Sequence, residues 1–220
     1  MKYKIGVVAV PVVLAIFSLG AQAADLKVKG YIVPASCSFT ITNAVIDYGR
    51  IDPNTLSPTS YTKLMPKSTP YTIRCGSSAK AKIGVKVVDN RSSSRIPGLM
   101  TSQFGGGYRD NYNYGLGVTA KGQKIGGYVV HLRNSVADGK PAYLITDEGY
   151  GGTWDPRSGE ALGHTANISS WRTGAAFTPA QINTVTGKLE VRAVINKVSE
   201  LDMNSQVNLD GQATLELRYL

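Results

Sequence analysis

The sequence predicts an all-β fold, a sandwich or barrel of short strands, and three observations predict it. The C-terminal residues alternate strictly. Val207, Leu209, Gly211, Ala213, Leu215, Leu217 and Tyr219 are uncharged, and Gln206, Asn208, Asp210, Gln212, Thr214, Glu216 and Arg218 between them are all polar. A period of two over that length is a strand with one face buried. Many short apolar runs are separated by turn signals: Asp52-Pro53-Asn54, Asp89-Asn90, Lys121-Gly122, Asp138-Gly139 and Thr186-Gly187. That spacing suits a sandwich or barrel. Composition agrees, because 24 Gly, 12 Tyr and only 18% charged residues favour strands and turns over packed helices.

The elements follow in chain order. Lys2 and Lys4 precede an uncharged apolar run from Ile5 to Leu19, and Ala21-Gln22-Ala23 is a small-residue cleavage site. This is the order of a secretory signal peptide over residues 1–23. The apolar run is shorter than the roughly 20 residues of a spanning helix, so no membrane span is expected in the mature chain. Leu26, Val28, Gly30 and Ile32 then alternate with Asp25, Lys27, Lys29 and Tyr31, a strand-like segment ahead of Pro34. Further strands are expected at residues 37–42, 45–48, 71–75, 82–88, 114–119, 125–132, 142–146 and 188–198. A Thr178 cap before Pro179 predicts one short helical stretch at 179–183. Residues 92–112 and 150–173, rich in Ser, Gly and Pro, read as loops.

The chain carries a net charge of +9, part of which leaves with the signal peptide. Lys and Arg are scattered singly in an exported chain. The charge therefore reads as solvated faces, and no nucleic-acid partner is expected. Cys37 and Cys75 are the only cysteines. In an oxidising compartment one disulfide is the natural reading, and a loop of about 38 residues closed by it is stabilised by roughly 4 kcal/mol. A metal pair or a reactive thiol would need His or Cys partners nearby, and the sequence places none there.

Catalytic motifs are not found. His131 sits in the strand pattern Val129-Val130-His131-Leu132 and His164 in a Gly-rich stretch; neither has a partner at ligand spacing. There is no G-x-S-x-G elbow. Gly105-Gly106-Gly107 is not followed by a helix pattern, which argues against a phosphate-cradling loop. Asp147 and Glu148 are adjacent, and strand neighbours point to opposite faces. Trp154 and Trp171, both expected in loops, are either a sugar-stacking platform or buried anchors, the commoner case. No catalytic residue, metal or cofactor is expected, and the chain is not expected to be an enzyme.

Several stretches resemble chaperone–usher pilins. Val28-Lys29-Gly30-Tyr31-Ile32-Val33-Pro34-Ala35-Ser36-Cys37 is similar to their N-terminal extension and first cysteine strand. Val45-Ile46-Asp47-Tyr48-Gly49 is similar to the short strand that follows, and Tyr71-Thr72-Ile73-Arg74-Cys75 to the strand bearing the second cysteine. The ending from Asp210 to Leu220 resembles the pilin C-terminal strand with its penultimate tyrosine. Tyr114-Gly115-Leu116-Gly117 and Lys124-Ile125-Gly126-Gly127-Tyr128 are similar to a fimbrial-like branch often assigned to the β clade.

The resemblance implies an immunoglobulin-like sandwich lacking its last strand, over residues 35–220, preceded by a donor extension at 24–34. It implies Leu26, Val28, Gly30 and Ile32 as the donor strand and Ala213, Leu215, Leu217 and Tyr219 as the acceptor edge. The implied partners are a periplasmic pilus chaperone, an outer-membrane usher and neighbouring fimbrial subunits. The expected destination is the cell surface, by way of the periplasm. The expected function is that of a structural fimbrial subunit supporting adhesion. Two other classes stand beside it: a tip adhesin using Trp154, Trp171 and the Tyr-rich residues 108–114, and a secreted enzyme.

Overall fold

The computed structural model describes residues 28–29, 36–76, 80–149, 152–156, 160–164 and 167–220. The chain divides into a unit Met1–Val33 and a unit Pro34–Leu220. The signal segment and Leu26, Gly30 and Ile32 of the expected donor lie outside the described residues. Val28, which is described, is 89% exposed.

The second unit is a two-sheet, all-β domain. Its first sheet is built on β1 (Cys37–Ile41), β3 (Lys67–Cys75), β12 (Thr184–Ile195), β6 (Gly126–Ala137) and β5 (Tyr114–Gly115), in that spatial order. The short β2 (Thr62–Lys63) pairs with β12, and β7 (Lys140–Pro141) with β6. The second sheet runs β11 (Gln181–Ile182), β4 (Ala81–Asp89), β10 (Ile168–Arg172), β8 (Tyr143–Asp147) and β9 (Trp154–Asp155). The last strand, β13 (Ala213–Tyr219), pairs with β4. Every strand pair is antiparallel.

Alternation decides which side chains meet between the sheets. In β3, Thr69, Tyr71, Ile73 and Cys75 are buried, and in β4, Ile83, Val85, Val87 and Asp89. From the second sheet, Trp171 is fully buried and stacks on Tyr71 of the first, ring centroids 6.4 Å apart. Its indole N–H donates to Ser135 Oγ at 3.1 Å, and that hydroxyl also pairs with Tyr71 OH at 2.8 Å. Both polar ends inside the core are therefore satisfied, as burial requires. Burial pushes the Tyr71 phenol up to about 12.

A further layer covers the outer face of the first sheet. Val129 and Val194 point away from the inter-sheet core and pack with Leu99, Met100, Tyr112 and Ala161. Leu99 and Met100 belong to a six-residue helix, α1 (Leu99–Phe104). This layer is tied down by the Asp89 carboxylate, whose oxygens accept from Arg91 N at 2.9 Å and Gly115 N at 3.2 Å, with Arg95 Nε 3.5 Å away. Gly115 is needed there, because a Cβ would lie 2.2 Å from Ser94 Oγ and 2.3 Å from Arg91 O.

Several expectations are corrected. Residues 45–48 form no strand; their apolar alternation reflects Ile46 and Tyr48 packing on the core. Residues 179–183 are not helical. Gln181–Ile182 is β11, and Ile182, 1% exposed, is drawn to β4 by burial that outweighs a weak cap. The supposed loop 92–112 contains α1, and 150–173 contains β9 and β10. Trp171 is therefore a core residue, not a loop one. Thr186-Gly187 is an irregularity inside β12 rather than a turn, with the register shifting between Thr186 and Lys188. Of the long C-terminal alternation, only Ala213–Tyr219 is a strand. Of residues 114–119, only Tyr114–Gly115 is a strand; Val118 makes an isolated bridge to Lys124.

Cys37 and Cys75 are joined by a disulfide between directly paired residues of β1 and β3. It closes a loop with a sequence separation of 38. Replacing both cysteines by Ala should lower the unfolding free energy by about 4 kcal/mol, read as a drop in the urea midpoint with a steeper slope, because the unfolded chain is released from its cross-link.

Candidate functional site

The site is defined by two sheet edges. Among the described residues β1 pairs with β3 alone and β13 with β4 alone. The ladder contacts show which backbone groups each strand leaves over. Asn90 N donates to Gln212 O at 2.9 Å and Leu220 N to Lys82 O at 3.0 Å. The even residues of β13 therefore bond to β4, and the N–H and C=O groups of Ala213, Leu215, Leu217 and Tyr219 point away from it. On β1, Gly76 N donates to Ser36 O at 2.8 Å and Thr42 N to Pro70 O at 3.0 Å. By the same parity Cys37, Phe39 and Ile41 direct their backbone outward. Pro70 fits here because its missing N–H lies beyond the last β1–β3 pair.

The two edges are clasped at one end. Tyr219 OH accepts from the outward N–H of Cys37 at 2.7 Å, so the end of β13 meets the beginning of β1. From that clasp the walls run in opposite chain directions. They end at a cleft of about 910 Å³ between residues 45–56 and 203–209, lined by Ile46, Tyr48, Leu56, Ile195, Val207 and Leu209 among others. Phe39, Ile41, Ala213, Leu215 and Leu217 are only partly buried, and all pack on the inter-sheet core. Among the described residues the result is a groove with an apolar floor and, beyond the Cys37–Tyr219 contact, ladder groups without a strand partner along both sides. Tyr48 is fixed in it by donating to Val191 O at 3.1 Å, and burial raises its phenol above the ordinary range. Gly211 lies at the approach to β13, where a Cβ would stand 2.7 Å from the Tyr128 ring.

The sequence placed Ala213, Leu215, Leu217 and Tyr219 on one strand, and the structure places them along one edge of this groove. Tyr219 differs from the other three in being 56% exposed. The opposite wall, Phe39, Ile41, Ile46 and Tyr48, was not singled out. Its signal was present in the alternation of residues 37–42 and 45–48, but alternation alone does not say which strand lies at an edge.

The other candidates fall elsewhere. His131 is fully buried under the Tyr108 ring, Nε2 3.2 Å from Tyr108 OH. Desolvation, with Arg133 and Arg192 nearby, pushes its imidazole down to about 3. His164 is also buried, and its pKa is lowered chiefly by burial and then by Arg95. Among the described residues no group of three or more His, Cys, Asp or Glu could hold a metal ion. No helix among them is long and apolar enough to cross a membrane.

Fold and groove together define a class: a disulfide-bearing, two-sheet β domain with two neighbouring open edges. Residues 26–129 match the family described as Protein of unknown function (DUF1120). The chain is also 26% identical to Protein GltF of Escherichia coli (strain K12) over 253 aligned residues, covering 100% of this chain and 99% of that protein.

The buried imidazole makes stability depend on acid. The folded domain holds His131 neutral down to about pH 3, whereas an unfolded chain protonates histidine near 6.5. Protons thus favour the unfolded chain. The contribution is complete above pH 6.5 and lost as pH falls towards 3, at up to about 1.4 kcal/mol per unit. His131→Leu should flatten the unfolding free energy between pH 6 and 4, roughly the middle of that window, as read by urea melts.

Proposed function

We propose that this chain is a structural subunit of a surface fibre of the chaperone–usher kind. In this reading the strand-like N-terminal segment of one copy occupies the groove of the next. The observation that carries it is the clasped pair of open edges, with Phe39, Ile41, Leu215 and Leu217 half-buried between them. A long, apolar, unpaired edge invites strand addition and is hazardous if left bare. The occupant is argued from the sequence. Leu26, Val28, Gly30 and Ile32 alternate with polar residues, and the segment lies immediately ahead of β1. Period-two apolar side chains are what such a floor accepts, and Gly30 allows close approach where a Cβ would not. A contact between different surfaces of successive copies does not close, so it builds a filament.

The partners follow from the same exposure. A subunit with bare edges must be covered in the periplasm until it joins a neighbour, which is the task of a pilus chaperone, and must leave through an outer-membrane usher. Adhesion of the cell that bears the fibre is then the biological role. Trp171, being in the core, gives no support to a surface stacking platform, and Trp154 is only partly exposed in β9.

Two variants of the exported chain test this by electron microscopy of cells co-expressing chaperone and usher. Deleting residues 24–33 removes the donor, and Leu217→Arg puts a charge on the groove floor. Each should abolish fibres, and the deletion variant, whose groove is intact, should still accumulate bound to the chaperone. A mixture of the two variants should give short complementary products, no longer than dimers. Ordinary fibres from either variant alone would refute the reading.

A further inference from the structure

Tyr219 stands apart from the residues it alternates with. Ala213, Leu215 and Leu217 turn partly buried side chains onto the core. Tyr219 leaves more than half of its surface exposed, and its hydroxyl reaches the opposite sheet to accept the outward N–H of Cys37 at 2.7 Å. Its side chain therefore spans the gap between β13 and β1 at the disulfide end. That contact removes one of the outward donors of β1 and obstructs the line along which a third strand would run. At the far end no equivalent side chain among the described residues crosses. The walls there separate around the cleft of about 910 Å³ between residues 45–56 and 203–209.

We infer that Tyr219 is an end-stop that fixes the register of a strand docked in the groove, confining it to the stretch from Leu217 to the cleft. The inference rests on the donor reading above, the occupant being the N-terminal segment of a second copy. It supplies what that reading lacks. A donor whose apolar residues repeat every second position can slip by two residues and still present the same face, a displacement of roughly 7 Å. Leu26, Val28 and Ile32 are similar in size, so on the donor's side only Gly30 resists such a slip. Ladder bonds do not resist it, because they are not sequence-specific. A covalent part of the acceptor that blocks one end does. Tyr219 meets that need with a rigid ring held at its tip by a backbone N–H, the position of which is in turn held by the Cys37–Cys75 bond.

The probe is a synthetic peptide of residues 25–34 carrying a photo-crosslinker in place of Val28, added to the mature chain, with crosslinked sites mapped by mass spectrometry. The unaltered chain should give one cluster of crosslinks on β13. Tyr219→Ala should add a second cluster displaced by about two residues towards Tyr219. Tyr219→Phe, which keeps the ring, should retain the single cluster. Independently of any peptide, the Cys37 amide should exchange with deuterium about tenfold faster in Tyr219→Phe than in the unaltered chain, the equivalent of one hydrogen bond lost. An unchanged crosslink map in Tyr219→Ala overturns the end-stop while leaving the donor reading intact. Equal Cys37 exchange in the two forms would mean that the Tyr219 side chain does not reach across to β1, and overturns the placement of the stop. Absence of peptide crosslinks in every form overturns the donor reading and the end-stop with it.

Discussion

Among the described residues β1 has a neighbour on one side only, and it is short. A strand of this kind, held by a single ladder, opens easily. What secures it is the covalent bond at its first residue, placed where Cys37 and Cys75 are already opposite one another. The rest of the groove depends on that constraint. It holds Phe39 and Ile41 over the core, and it positions the Cys37 N–H where Tyr219 meets it. Because the loop it closes includes residues 45–56, it also limits how far the wall of the cleft can swing from β13. The disulfide is thus a device for keeping an exposed edge in place where a second ladder would otherwise be required.

The remainder of the domain is built to leave that side open and to close the other. The outer face of the first sheet is covered by α1 and its flanking turns, held by Asp89 from β4. β6 is consequently buried on both faces: Val130 and Leu132 point to the inter-sheet core, while Val129 and His131 lie under the outer layer. The open edges therefore border a rigid interior, in which Trp171, Tyr71 and Ser135 lock the two sheets by packing and by hydrogen bonds.

Much of this was legible in the sequence. Short apolar runs between turn signals found the end of β3, most of β4, the first part of β6 and the latter part of β12, period-two alternation found the last strand, and the cysteine pair was read from its compartment. What was not legible has physical causes. Residues 45–48 carry the alternation of a strand because their side chains touch the core, yet alternation cannot tell a side-chain contact from a ladder. The layer at 92–112 looked like loop because its buried apolar residues, Leu99, Met100 and Tyr112, are few and lie among Ser and Gly. β10 was missed because the burial of Ser169 and Ser170 depends on partners far away in sequence: Ser169 pairs with Thr146 at 3.0 Å and Ser170 donates to Ile83 O at 2.7 Å. For the groove, one wall was found and the other was not, since edge status belongs to the sheet and not to the strand.

The antiparallel course of β1 and β13 on either side of one gap has a mechanical consequence. A strand lodged there is bonded along both flanks, so tension applied along its length strains the bonds of both flanks together rather than peeling them one by one. Rupture in that geometry is a shear event with a high force threshold, whereas the same bonds arranged across the pull would part like a zipper. A chain of such joints would stretch little before yielding, which is the property required of a tether exposed to flow.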